Sequence, residues 1–164
     1  MIISYEWLTQ YVDAGDPADA AARLTMAGLE VEAVRNPCAA LTAVTVAKIA
    51  AIAPHPKGGA LRLATLETGG APVTVVCAAQ NIAVDDLVPY LRPGTVTARG
   101  RAVAEAVIHG VASPGLLASG EDLGLEEAST GIFILPKGLT PGAALADALG
   151  KDAAVMDVNV TPNR

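Results

Sequence analysis

The stretch TAVTVAKIAAIAPHPKGGALRLATLETGGAPVTVVCAA, residues 42–79, decides the fold. Its first third, 42–53, is a long β-prone run. LRLATLE (61–67) alternates apolar and polar residues, and APVTVVCAA (71–79) is β-branched and apolar. Glycine pairs at Gly58-Gly59 and Gly69-Gly70 separate them, where a chain reverses without a side-chain penalty. DLVPYL (86–91), broken by Pro89 and followed by a turn at Gly94, and GIFILP (131–136) read as two further short strands. Five short strands punctuated in this way predict a small closed barrel of OB type rather than parallel βαβ units, with a sheet sandwich as the structural alternative.

The flanks have a different texture. MIISYEWL (1–8) reads as a short strand entering a turn or helical turn. Asp16-Pro17 opens a helix of about three turns, with Asp16 as cap, Pro17 in the first position and Asp19 near the positive end. Gly28 suits the residue just past its end. LEVEAV (29–34) alternates as a half-exposed strand, and Asn36-Pro37 then breaks the pattern, placing a boundary at 36–41. TPGAALADALG (140–150) reads as a second short helix with Pro141 near its start and Gly150 as its stop. VMDVNV (155–160) alternates as an edge strand, and the chain ends TPNR as if cut rather than finished.

Composition limits what such a molecule can do. Formal charge is −6. Residues 1–39 carry two basic against six acidic side chains, and residues 40–150 carry seven against nine. Phosphate binding depends steeply on charge, so any nucleic-acid contact must be local. Arg92, Arg99 and Arg101 form the densest basic cluster. The few aromatics, Trp7, Phe133, Tyr5, Tyr11 and Tyr90, offer no broad base-stacking platform. Cys38 and Cys77 lack metal-ligand spacing; Cys77 reads as a buried strand residue and Cys38 as a loop thiol. With no secretion signal and no membrane-length apolar run, the expectation is a cytoplasmic protein without a membrane partner.

Catalytic patterns are absent: no GxSxG, HExxH, CxxC or phosphate loop occurs. A hydrolase built on Ser113 or Ser119 would need a buried histidine–carboxylate pair, with His109 and Asp122 as the nearest candidates. In GLLASGEDLGL (115–125), Ser119 instead reads as the cap of a short helix with Glu121 and Asp122 in its first turn. Leu123 and Leu125 would dock that turn on a barrel end. His55, fixed between Pro54 and Pro56, either bonds locally or meets RNA or a partner.

ISYEWLTQYVD (3–13), LTMAGLEVEAV (24–34), VAKIAAIAPHP (46–56), VVCAAQN (75–81), GVASPGLLASGEDLGL (110–125), GIFILP and the final TPNR occur in an order and spacing that resemble the bacterial phenylalanine–tRNA ligase beta subunit. The resemblance implies an amino-terminal fragment. A five-stranded OB-type barrel of tRNA-binding type (40–150) would be inserted into a small, truncated α/β domain made of 1–39 and 151–164, giving an α+β fold. It implies an alpha2-beta2 enzyme that attaches phenylalanine to tRNA(Phe) with ATP and magnesium, the activation chemistry lying in the alpha subunit. No catalytic, cofactor or metal residue would then lie in these 164 residues. Where that family has HPNADKL this chain has HPKGGAL. Ala78, Leu116 and Ala118 replace a Gly, a Met and a Cys, and His109 stands where Arg is common. The candidate tRNA or partner contacts are His55, Lys57, Arg62, Arg92, Arg99, Arg101, His109 and Ser119. A protein-interaction or scaffold module with little RNA contact is the alternative.

Overall fold

The computed structural model describes residues 1–149 and 153–160, so the expected stop at Gly150 and the terminal TPNR lie outside the described residues. The chain begins with β1 (Ile2–Ser4), which passes into the single-turn helix α1 (Tyr5–Thr9), capped by the Ser4 side chain. In α2 (Pro17–Met26) Asp16 Oδ1 accepts from the amides of Ala18 and Asp19, both at 2.8 Å, and Pro17 takes the first helical position. These bonds satisfy amides that an uncapped helix leaves orphaned. β2 (Val31–Arg35) turns Val31 and Ala33 inward and Glu32 outward.

β3 (Val44–Pro54), β4 (Arg62–Glu67), β5 (Val73–Cys77) and β6 (Leu87–Leu91) follow. Next come the hairpin strands β7 (Glu105–Ile108) and β8 (Val111–Pro114), the short β9 (Leu116–Leu117), the helices α3 (Gly120–Leu123) and α4 (Leu145–Leu149), and finally β10 (Val155–Val158). By internal contacts, Met1–Ala39 and the described residues 153–160 form one compact unit, and Ala40–Leu149 the other.

In the smaller unit, β1, β10 and β2 form an antiparallel sheet in that order. β10 is therefore the central strand and not the expected edge. Its alternation sends Met156 and Val158 to a fully buried face against Ala14 and Ala20, with Ile3, Leu24 and Val31 packed around them. Alternation reports which face is buried; it carries no information on how many neighbours a strand has.

The larger unit is a nearly closed five-stranded antiparallel barrel of order β5-β4-β3-β6-β9, the partly open architecture expected of an OB-type fold. Pairs two residues apart face its interior: Ala47 and Ile49, Ala64 and Leu66, Val75 and Cys77, Val88 and Tyr90. Each fully buried Ile, Leu or Val side chain among them contributes about 1.5–3 kcal/mol. β3 serves two neighbours, β6 along 44–48 and β4 along 48–54, and its register shifts between Ile49 and Ala51 as it changes partner. Such a bulge bends a strand and helps a small sheet close.

Three sequence expectations need correction. Pro89 does not break β6. It sits opposite Val46, whose own amide and carbonyl bond to Ala143 and Gly142 at 2.9 and 2.8 Å, so no ladder bond is asked of the proline nitrogen. Residues 131–136 are not a strand. Leu135 makes an isolated bridge to Leu87, and Ile132 is held instead by the Asn81 side chain, which donates to its carbonyl at 2.8 Å and accepts from its amide at 3.1 Å. The 140–150 helix starts only at Leu145, because Gly142 has φ +92° and 142–143 pair with Val46.

Both cysteines are free and buried, Cys38 in a turn, and burial pushes the Cys77 thiol pKa up. A low thiolate fraction and poor access act together. Cys77 is thus expected to resist a disulfide reagent at neutral pH in the native state and to react fully once urea unfolds the chain. Rapid native-state labelling of Cys77, read by peptide mass, would contradict its place in the barrel wall.

Candidate nucleic-acid interface

His55 begins the turn between β3 and β4 and is only 2% exposed. Its Nδ1 accepts from the Lys57 amide at 3.1 Å, which leaves Nε2 to donate to the Ile108 carbonyl at 3.2 Å. The imidazole thus ties the proline-flanked turn to β7, and its ring meets that of His109 edge-on at 6.0 Å. Both nitrogens are engaged by protein. The turn that His55 holds projects Lys57, which is exposed and has no ion-pair partner among the described residues.

His109 and Gly110 are the two loop residues of the β7–β8 hairpin, with φ of +49° and +88°. Two consecutive positive φ values are what a tight hairpin turn of this hand requires. This hairpin is absent from the sequence reading. RAVAEAVIHGVASP lacks the Asn-Gly or Asp-Gly signal, and its alanines and glutamate do not announce strands. It packs on β5 through Ser113, whose Oγ accepts from the Val76 amide at 3.1 Å and donates to the Gly115 carbonyl at 3.3 Å.

The three clustered arginines do not share one environment. Arg92 follows β6, is exposed, and lines an open cavity of about 770 Å3 with Tyr90, Thr68, Gly69 and Pro141. Residues 94–103 fold back on themselves through bonds such as Gly94 to Val103 and Thr97 to Arg101, and present Arg99 and Arg101 near the tip. Arg101 is exposed without an ion-pair partner among the described residues. Arg99 is committed: it lies 2.9 Å from Glu121 and donates to the Glu127 carbonyl at 3.0 Å.

Ser119 caps α3 in a reciprocal box. Its Oγ accepts from the Asp122 amide at 3.2 Å, while the Asp122 carboxylate accepts from the Ser119 amide at 3.1 Å and hydroxyl at 2.9 Å. The sequence anticipated this cap. Arg62 is half-buried opposite Cys77, and its Nη2 donates to the Ala79 carbonyl while Nε has no partner among the described residues. The neighbouring Gln80, prominent in the structure, appears in the sequence only inside the VVCAAQN resemblance; a polar Gln-Asn pair closing an apolar strand was the available signal.

The serine hydrolase arrangement does not form. Both serines bond to backbone or to the cap, and no histidine–carboxylate pair occurs among the described residues. Nor do three or more His, Cys, Asp or Glu side chains gather in a metal-holding group there, and no described helix is long and apolar enough to cross a membrane. The geometry offers a barrel with separated exposed cations and small clefts, which suits binding.

Comparison with known proteins agrees with this picture. Residues 44–144 match a family model described as "Putative tRNA binding domain". Over 165 residues the chain is 42% identical to the phenylalanine–tRNA ligase beta subunit of Anaeromyxobacter dehalogenans (strain 2CP-C), covering all of this chain and 21% of that protein. It is 43% identical over 165 residues to the same subunit of Syntrophus aciditrophicus (strain SB), covering all of this chain and 20% of that protein. The corresponding values for Methylococcus capsulatus (strain ATCC 33009 / NCIMB 11132 / Bath) are 36% over 166 residues, all of this chain and 21% of that protein. The chain spans about a fifth of the length of these curated relatives.

Proposed function

The chain belongs to the tRNA-binding-domain family through residues 44–144 and matches phenylalanine–tRNA ligase beta subunits over its full length, and on that premise we propose that it is a non-catalytic tRNA-binding and assembly module of such a subunit. The barrel domain, 40–150, is read as an insertion into an α/β domain made of 1–39 and 151–164. The complete enzyme would be cytoplasmic, would pair this subunit with an alpha subunit in an alpha2-beta2 assembly, and would charge tRNA(Phe). In this reading its ATP and magnesium belong with the alpha subunit, and no step is assigned to the residues here.

The observation that carries the proposal is the set of exposed cations, Lys57, Arg92 and Arg101, without ion-pair partners among the described residues of a barrel that matches a tRNA-binding family. In this reading they contact phosphate and position the RNA, without touching reacting bonds. His55 and His109 organise the turn and hairpin from which such contacts are made, Ser119 fixes α3, and Arg62 and Arg99 lie beside the surface. The acidic balance favours a second reading, a protein-interaction scaffold.

Titrating fluorescent tRNA(Phe) with the chain separates the two. Three phosphate contacts imply a slope of about −2.7 in log affinity against log salt, hence a roughly two-hundredfold loss between about 20 and 150 mM salt. Absent or salt-insensitive binding by a folded chain would defeat the tRNA reading and leave the scaffold.

A further inference from the structure

A smaller cleft of about 310 Å3 opens between the 54–61 turn and the loop after β5, lined by Ile52, Pro54, Leu61, Arg62 and Gln80 among others. Most of the lining is aliphatic, and two polar side chains join it. Gln80 Nε2 donates to the carbonyls of Ala60 and Ala78 at 2.9 and 3.1 Å, which fixes the amide and leaves Oε1 as a spare acceptor. Arg62 has Nη2 on the Ala79 carbonyl, and its Nε–H is buried without an acceptor among the described residues. Arg62 lines the cleft, and a guanidinium held by one protein bond still has further N–H groups to offer a ligand acceptor. At the turn, a Cβ placed on Gly58 or Gly59 would meet nothing within 4 Å, so the mouth is open.

An aliphatic lining joined by a guanidinium donor and an amide acceptor matches a flat ring with a mixed hydrogen-bonding edge. The volume lies at the lower end of the roughly 300–1,000 Å3 typical of small-molecule sites, which suits one ring system. We propose that this cleft receives a single unstacked nucleobase of a bound RNA, its acceptor on Arg62 and its donor on Gln80. The inference rests on the tRNA-binding reading and deepens it. Single-stranded bases are commonly read on such edges, and this barrel, poor in aromatics, would seat one base against aliphatic side chains in place of a stacking platform.

The test uses a seven-residue ribose–phosphate oligomer carrying one base at its centre, compared with the fully abasic oligomer, both titrated into the chain at low salt beside tRNA(Phe). The expected result is five- to tenfold tighter binding of the base-bearing oligomer with at least one of the four bases. That preference should collapse below twofold in Gln80→Leu and in Arg62→Lys, the second keeping the charge and losing the planar fork. Gln80 is exposed, so its variant keeps the test valid if the Arg62 variant folds poorly. Equal binding of base-bearing and abasic oligomers, with tRNA still bound in a salt-dependent way, would overturn the nucleobase site and leave the tRNA-binding reading standing. No binding of tRNA or of either oligomer by the folded chain would overturn both.

Discussion

Gly115→Ala is expected to remove about 3–5 kcal/mol of stability, a large share of the roughly 5–15 kcal/mol that keeps an ordinary domain folded. Gly115 lies between β8 and β9 with φ +113°, and a Cβ there would stand 2.4 Å from the Leu91 carbonyl oxygen and 2.7 Å from the Tyr90 ring. Neither neighbour can yield. Leu91 is paired with Val44 and Leu116 in the sheet, while Tyr90 is 4% exposed and its hydroxyl donates to the Pro114 carbonyl. Two costs therefore combine, left-handed backbone strain and overpacking against backbone. Gly110→Ala separates them. Gly110 has φ +88° but nothing within 4 Å of a built Cβ, so it carries the strain alone, about 1 kcal/mol. Urea midpoints of the two variants give the comparison; a Gly115→Ala midpoint no lower than that of Gly110→Ala would show that the β8–β9 junction does not pack as described.

That junction also shows how far the sequence could be read. The alternation of Ala64 and Leu66, and of Val75 and Cys77, marks one buried face each, and the glycine turns between the strands fix their antiparallel succession. The small unit's helix start was equally legible, since a cap and an N-terminal proline act within three residues. What failed depended on distant partners. Pro89 reads as a breaker until Val46 is seen to spend its backbone groups on 142–143. GIFILP reads as a strand because it is apolar, yet Ile132 is paired by the side chain of Asn81, 51 residues away, and only Leu135 makes a bridge, an isolated one to Leu87. The His109-Gly110 turn hides because it lacks the Asn-Gly or Asp-Gly signal of a two-residue hairpin; in the fold its histidine ring meets His55.

The same limit governs the candidate site. Arg92, Arg99 and Arg101 are indistinguishable in the sequence, but Glu121 neutralises only one of them, and Glu121 is positioned by the Ser119 capping box far along the chain. The consequence is a graded expectation. Changing Lys57, Arg92 and Arg101 together to alanine should flatten the salt dependence of tRNA binding by about 2.7 log units per log unit and weaken binding at low salt by about two orders of magnitude. Arg99→Ala should change the slope by well under one, because a guanidinium already paired at 2.9 Å releases few counterions to the RNA. Glu121→Gln keeps an acceptor for the Ser129 amide, now at 2.7 Å from Oε1, while removing the charge that holds Arg99. Freed in this way, Arg99 should add about one unit to the slope. Salt titrations of the four proteins measure all of this. If Arg99→Ala cost as much as the triple change, the ion pair would not survive RNA binding and the interface would centre on the 94–103 loop. If the triple variant bound like the parent, the exposed cations would serve solubility, and the barrel's partner would have to be sought among proteins.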